Sequence, residues 1–319
     1  MTREIGGYFG LEYFWGREYY ENATGVNSAR NALLYLLKAR QVKKLYIPRF
    51  LCDSVSGLCR RENYPFEEYP IDRNFRPVFY KPLEEGEYLY IVNYYGQISN
   101  EEILELKQRW SRIIVDNVQA FFQKPAADVD TIYSCRKFFG VPDGAYVVSD
   151  AVLEESLERD VSMDRMRCVL GRFEGKASDY YRDFQAAEPL FEQLPLRRMS
   201  ELTCNILRAV DYDAVKNRRN ENYAVLESVL GTENPLQLKA PEGPYCYPFY
   251  CKNGLQIKRK LAEKKIYVPT LWPNVLQLAN SLEKDYAENI LPLPCDQRYT
   301  REDMLLIGRS LAEIISELD

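Results

Sequence analysis

The chain has 319 residues, 46% of them hydrophobic and 28% charged, with a formal net charge of −5. That is material for a large globular domain plus a smaller one, and with no basic block nucleic acid is not expected as a partner. There is no histidine, which excludes His-based triads, His proton shuttles and His-ligated metals and leaves acid–base chemistry to Lys, Asp, Glu, Tyr or Cys. The eight cysteines form no C-x-x-C pair, so no zinc ribbon or thioredoxin motif is present, no metal site is expected, and the thiols read as reduced core residues. The start Met1-Thr2-Arg3-Glu4 has no apolar signal segment and no apolar run reaches bilayer length, so the expectation is a cytoplasmic protein without a membrane partner.

Residues 1–24 are rich in aromatic side chains, Tyr8, Phe9, Tyr13, Phe14, Trp15, Tyr19 and Tyr20, and read as an arm that serves as a lid or dimer contact. Val26–Leu33 opens a helix, with Asn27 or Ser28 as N-cap and Ala29, Ala32, Leu33, Leu36 and Leu37 on one face. A small-residue helix start can bind an anion through its free N–H groups, although a plain capped helix explains the pattern as well. Lys44–Pro48 reads as a strand, Cys52–Arg61 as a helix, Pro65–Tyr69 and Tyr88–Asn93 as strands. A helix capped by Asn100 runs to Trp110, and Arg112–Asp116 is a buried strand ending in an acid. This alternation, with near-continuous apolar strands, predicts an α/β protein with a mostly parallel sheet. Ligands in such sheets lie beyond the carboxyl ends of the strands. Asp116 stands at such an end, as a helix cap or as a site residue. No G-x-G-x-x-G or Walker lysine is present, which disfavours a dinucleotide or NTP site.

Two further strands, Asp130–Tyr133 and Ala145–Val148, flank the loop Ser134–Gly144. It presents Ser134, Arg136 and Lys137 together, a set suited to a phosphorylated aldehyde: the lysine forms a Schiff base and the serine and arginine grip the phosphate. The same residues fit the S-x-x-K of penicillin-binding enzymes, but no K-T-G follows. Pro142-Asp143-Gly144 is an ordinary turn sequence. From 151 to 230 the pattern is helical, over Ala151–Asp160, Glu201–Val210 and Arg218–Leu230. Breaks at Asn234-Pro235 and Pro241–Pro244 precede a strand (Tyr245–Tyr250) and a basic helix (Leu255–Lys264), where Lys258, Arg259, Lys260, Lys264 and Lys265 read as a solvated face. Leu291–Pro294 leads to a last helix, Arg301–Leu318, capped by Thr300 with Asp303. The expected division is a large α/β domain over 1–230 and a small α+β domain over 231–319.

The order of these pieces resembles the DegT/DnrJ/EryC1/StrS family of sugar aminotransferases. The helix start at 27–33 comes first, then Tyr94-Tyr95-Gly96-Gln97, Val115–Ala120, Tyr133–Lys137, Pro142–Asp150, Arg198–Leu202 and Leu291–Thr300. The resemblance spans nearly the whole chain and implies the pyridoxal-phosphate (PLP) transferase fold of type I. It implies a homodimer with the site at the subunit interface, and transfer of an amino group from an amino acid, with glutamate the expected donor, to a nucleotide-linked keto-sugar. Lys137 would carry pyridoxal 5'-phosphate and move the substrate proton; Asp116 would meet the pyridine nitrogen; Gln119 would lie by the phenolic oxygen. Ser28 and Ala29, with Ser134 and Arg136, would bind the phosphate. The chain departs from the family at Cys52, where a ring-stacking aromatic is usual, at Arg30 in place of a small hydroxyl residue, at Leu196 in place of a partner-reaching asparagine, and at Gly144-Ala145 in place of a glycine pair. Tyr95, Trp272, Arg197 and Arg198 are candidates for choosing the acceptor. Two other readings compete: a PLP enzyme acting on another carbonyl, such as a sugar dehydratase, in which the lysine is commonly replaced; and a binding or scaffold protein, which would need none of Asp116, Gln119 and Lys137.

Overall fold

The computed structural model describes residues 5–318, so the first four residues of the aromatic arm and the last residue of the chain lie outside the described residues. β1 (Thr24–Val26) leads into α1 (Ala29–Ala39). Ser28, not Asn27, is the N-cap: its backbone is extended and its Oγ accepts the Asn31 N–H at 3.1 Å. β2 (Lys44–Pro48), α2 (Asp53–Arg61), β3 (Phe66–Tyr69) and β4 (Glu87–Val92) follow. Next come α3 (Asn100–Trp110), β5 (Ile113–Asp116), β6 (Asp130–Ser134) and β7 (Ala145–Val148). The cap of α3 is Ser99 rather than Asn100. Ser99 and Glu102 satisfy each other's backbone N–H groups in a capping box, while the Asn100 amide donates to the Lys124 carbonyl.

The seven strands run in the order β1-β7-β6-β5-β4-β2-β3. β2 to β6 pair in parallel, β7 is antiparallel to β6, and β1 is antiparallel to β7. The strand alternation sorts side chains into two cores. Tyr90, Val92, Ile114 and Ile132 pack on one face with Leu33, Leu36 and Leu37 of α1. Leu89, Ile91, Ile113 and Val115 pack on the other with Ile103 and Trp110 of α3.

The expected helix over Ala151–Asp160 does not form. Glu158 and Asp160 instead pair in extended conformation with Arg198, through Arg198 N–H to Glu158 O at 2.8 Å and Asp160 N–H to Arg198 O at 2.9 Å. Partners forty residues away override the local periodicity. Helices resume as α4 (Arg167–Glu174), α5 (Tyr181–Gln193), α6 (Glu201–Arg208) and α7 (Tyr212–Leu230), the last starting earlier than its periodicity suggested because Asp211 caps it.

β8 (Tyr247–Tyr250), α8 (Gly254–Glu263), α9 (Leu282–Asn289), β9 (Ile290–Leu293) and α10 (Arg301–Ser316) complete the chain. β8 and β9 form a separate antiparallel pair. Their core takes in Leu261, Met304 and Leu311 and also Tyr223, Leu226 and Leu230 of α7. The capping box of Thr300 and Asp303 is present. The basic face of α8 is only partly solvated. Lys260 and Lys264 pair with Glu317 and Glu313 at the surface, but Lys258 is 6% exposed. Its Nζ donates to the Ala287 carbonyl of α9 at 3.4 Å, and burial pulls its amine down to about 8. The packing of α8 on α9 turns that lysine inward. Among the described residues no helix is long and apolar enough to cross a membrane.

Candidate active site

The topology brings five strand ends to one edge. β1 runs in the same direction as β6, because two antiparallel steps separate them. Val26, Ala145 and Ser134 lie in one row, and Val92, Asp116 and Ile132 in another. With neighbouring strands ~4.8 Å apart, Val26 and Ser134 stand roughly 10 Å from each other. The start of α1 and the loop carrying Lys137 therefore leave the sheet side by side, with Asp116 next to them.

The loop is fastened at both ends. The Cys135 N–H bonds Gly144 O, the Phe138 and Phe139 N–H groups bond Cys135 O, and the Gly144 N–H bonds Asn27 O. Gly144 has φ +110°, and a Cβ there would stand 2.9 Å from Thr203 Cγ2, so the position requires glycine. Asp143 does more than turn the chain. Wholly buried, it accepts from the Ser200 N–H at 2.9 Å, the Ser200 hydroxyl at 2.7 Å and the Thr203 hydroxyl, anchoring the loop to the start of α6. Burial pushes its carboxyl up against those donors.

Asp116 is 4% exposed. Its Oδ2 accepts from the Tyr90 hydroxyl at 2.5 Å and its Oδ1 from the Val118 N–H at 2.8 Å. Burial pushes its carboxyl above the usual range, while the Tyr90 hydroxyl, the Lys137 ammonium and the Val118 N–H pull it back. Lys137 is exposed, with its Nζ 5.6 Å from the centre of the Tyr245 ring. Gln119 is buried; its Oε1 accepts from the Tyr95 N–H at 2.9 Å, and its Nε2 has no partner among the described residues. Tyr95 holds that geometry in a left-handed turn, φ +54°. Asp116, Lys137 and Gln119 are thus gathered at one strand edge, with the Ser28 cap and Ser134, both buried, at the neighbouring ends.

The other expected site residues are placed as follows. Ala29 and Arg30 form the first turn of α1. Arg136 lies over the ring of Phe191, 3.6 Å from its centre. Cys52 precedes α2, with Sγ 3.5 Å from Asp53 Oδ1. The aromatic ring nearest in sequence after Pro48 is Phe50, which is buried against Tyr94 and Trp272. Tyr95 and Trp272 belong to the same buried cluster. Arg197 pairs with Glu158, and Arg198 is exposed. Sequence reasoning missed Tyr90 and Tyr245. A signal for Tyr90 was available: a tyrosine flanked by Leu89, Ile91 and Val92 in the buried part of a strand needs a partner for its hydroxyl, and the neighbouring strand ends in a carboxylate.

No protein-family model matches the sequence, and no curated protein sequence is similar to it. Solved structures are similar in fold. DesV from S. venezuelae, in complex with a ketimine intermediate, aligns with a TM-score of 0.63 at 17% identity over 91% of this chain and 84% of its own. The putative sugar aminotransferase Spr1654 from Streptococcus pneumoniae in its PLP form gives 0.64 at 12% identity, over 93% and 88%. PseC from Helicobacter pylori, an aminotransferase of pseudoaminic acid biosynthesis, gives 0.62 at 15% identity, over 91% and 86%. The chain has the fold of these aminotransferases.

Proposed function

We propose that the protein is a PLP-dependent aminotransferase that moves an amino group from an amino acid, glutamate first among candidates, to a nucleotide-linked keto-sugar in amino-sugar or surface-polysaccharide biosynthesis. In this reading a PLP-binding domain covers 1–230 and a smaller domain 231–319. The observation that carries it is Asp116, a buried carboxylate at a strand end beside a lysine, in a chain folded like aminotransferases solved in PLP and PMP forms.

The residues fit the cofactor. A buried carboxylate held up by desolvation accepts a cation readily, and a protonated pyridine nitrogen is one. The partnerless Nε2 of Gln119 is a donor suited to the anionic ring oxygen. The Ser28 oxygen accepts its cap bond and so keeps its own proton to donate, while the first N–H groups of α1 fit a phosphate. Lys137 would hold the aldehyde carbon. Ser28, Ala29, Arg30, Ser134 and Arg136 would surround the phosphate, and Cys52 would lie towards the ring. When bound, the cofactor supplies an electron sink for the α-carbon. The chain's own residues would do the rest: Tyr90 and Val118 N–H orient Asp116, and Lys137 would take the proton from the donor's α-carbon and, in the second half-reaction, give one to the carbon that receives the amino group. The aromatic arm supports a homodimer, since Tyr8, Phe9 and Trp15 stand almost fully in solvent. PLP chemistry on a nucleotide-linked sugar suits the cytoplasm.

The test is direct. Protein incubated with PLP should turn yellow, borohydride should fix the label on the peptide containing Lys137, and Lys137→Ala should lose both. Glutamate should then bleach the visible band. A wild-type protein that takes up no PLP, or is labelled at another lysine, refutes the reading.

A further inference from the structure

We propose that Arg219 is a positioning residue for Lys137, which ties the lysine's loop to the C-terminal part of the chain; this rests on the role assigned to Lys137 above. Arg219 projects from α7 and is 2% exposed. Its Nε donates to Gln297 Oε1 at 2.8 Å, one terminal nitrogen to Pro244 O at 2.8 Å, and the other to Phe138 O at 3.2 Å. Its guanidinium carbon lies 4.5 Å from the centre of the Phe138 ring. The Gln297 amide donates to the same Phe138 carbonyl at 2.7 Å.

Those three bonds go to neutral oxygens. The nearby Asp296 carboxylate is gripped instead by Arg298, at 2.7 and 2.8 Å. A guanidinium stays charged in a protein interior, and burying a cation without a bonded carboxylate is costly, so an apolar side chain would fill the same space at less cost. What an apolar side chain lacks is the rigid fork, which addresses three oxygens on three separate segments at once. The identity of those segments gives the arrangement its meaning. Phe138 follows Lys137 directly. Pro244 directly precedes Tyr245, whose ring faces the lysine amine. Gln297 lies on the turn between β9 and α10. One side chain thereby sets the lysine, the ring facing it and the C-terminal unit in a single frame. Any shift of the C-terminal unit reaches Lys137 through the Phe138 carbonyl.

The test compares Arg219→Gln, Arg219→Lys and Gln297→Leu with the wild type. In protein loaded with PLP, each variant should keep its cofactor stoichiometry, yet lose about half of the visible circular dichroism per bound cofactor. Its kcat should fall about tenfold, as expected of a misplaced group, with KM little changed. Lysine keeps the charge without the fork and should not rescue. A lowered melting midpoint with wild-type dichroism and kcat would mean a merely structural residue and overturn the proposal. In the full chain without cofactor, hydrogen exchange of the 135–141 amides in Gln297→Leu should accelerate about tenfold while the central strands stay protected; unchanged exchange there refutes the proposal. That readout decides the role of Arg219 even if an Arg219 variant fails to fold, or if the wild type binds no PLP, which would count against the cofactor reading instead.

Discussion

Tyr90→Phe removes one oxygen from the middle of the sheet and leaves the ring in place. The lost group is the donor 2.5 Å from Asp116 Oδ2, and both residues are buried, so water does not replace it. A hydrogen bond to a charged partner contributes about 1.5–3 kcal/mol, a neutral one about 1 kcal/mol. The loss therefore falls mainly on the ionised carboxylate. Burial already holds the Asp116 carboxyl above its ordinary range, and deleting a donor that stabilises the charged form raises it further. The deficit of the variant is thus small in acid, where Asp116 is protonated in both proteins, and grows to its full value once the pH is above the carboxyl's range in both. At a melting shift of about 2–4 °C per kcal/mol for a chain of this class, scanning calorimetry of the cofactor-free protein across pH resolves the effect easily. A deficit below about 0.5 kcal/mol, or one of the same size at every pH, would refute the assignment of this hydroxyl to a charged partner.

Asp116→Asn should raise the melting midpoint of the cofactor-free protein while abolishing transamination. A carboxyl raised in the folded state costs stability as pH climbs from its unfolded value of 3.8 through its folded one, so the gain appears above that window and disappears in acid; a lower midpoint at pH 8 contradicts it. Lys258→Met should stabilise the protein at pH 7 by up to about 3 kcal/mol. The amine titrates near 8 when folded against 10.5 when unfolded, so the wild type recovers stability as pH rises between those values and the advantage fades; a pH-independent difference would show that the amine is not desolvated. Replacing Tyr8, Phe9 and Trp15 together by serine should shift sedimentation from dimer towards monomer without lowering the monomer's melting midpoint, and an unchanged dissociation constant would remove the arm from the interface.

Where local chemistry decides, the sequence was readable. The Ser28 cap, the capping box at Thr300 and Asp303 and the apolar strands β2, β4 and β5 all follow from neighbours within a turn or a strand. The placement of Asp116 at a carboxyl edge and of Lys137 on the adjoining loop followed from the α/β alternation. Misreadings arose where distant partners rule. The segment 151–160 has helical periodicity but is drawn into extended pairing by Arg198. Lys258 looks like one more surface cation until α9 covers it. Asp143 looks like a turn residue until α6 is brought to it. Neither Tyr90 nor Arg219 gave a spacing signal: the Tyr90 hydroxyl was legible only from the apolar residues around it, and the Arg219 guanidinium declares itself only once its acceptors are folded around it.

The register of β1 has a bearing on how the molecule is made. β1 pairs with the last strand of the sheet, Val26 opposite Ala145, and on its other side with the segment around Arg198, and the carbonyl of Phe138, the residue after Lys137, accepts from donors at 219 and 297. During synthesis the N-terminal strand emerges long before its neighbour exists, and pairings so distant in sequence close slowly. The Lys137 loop gains its full set of bonds only once residue 297 has left the ribosome, so a chain cut ahead of that residue would lack the Gln297 donor to the Phe138 carbonyl.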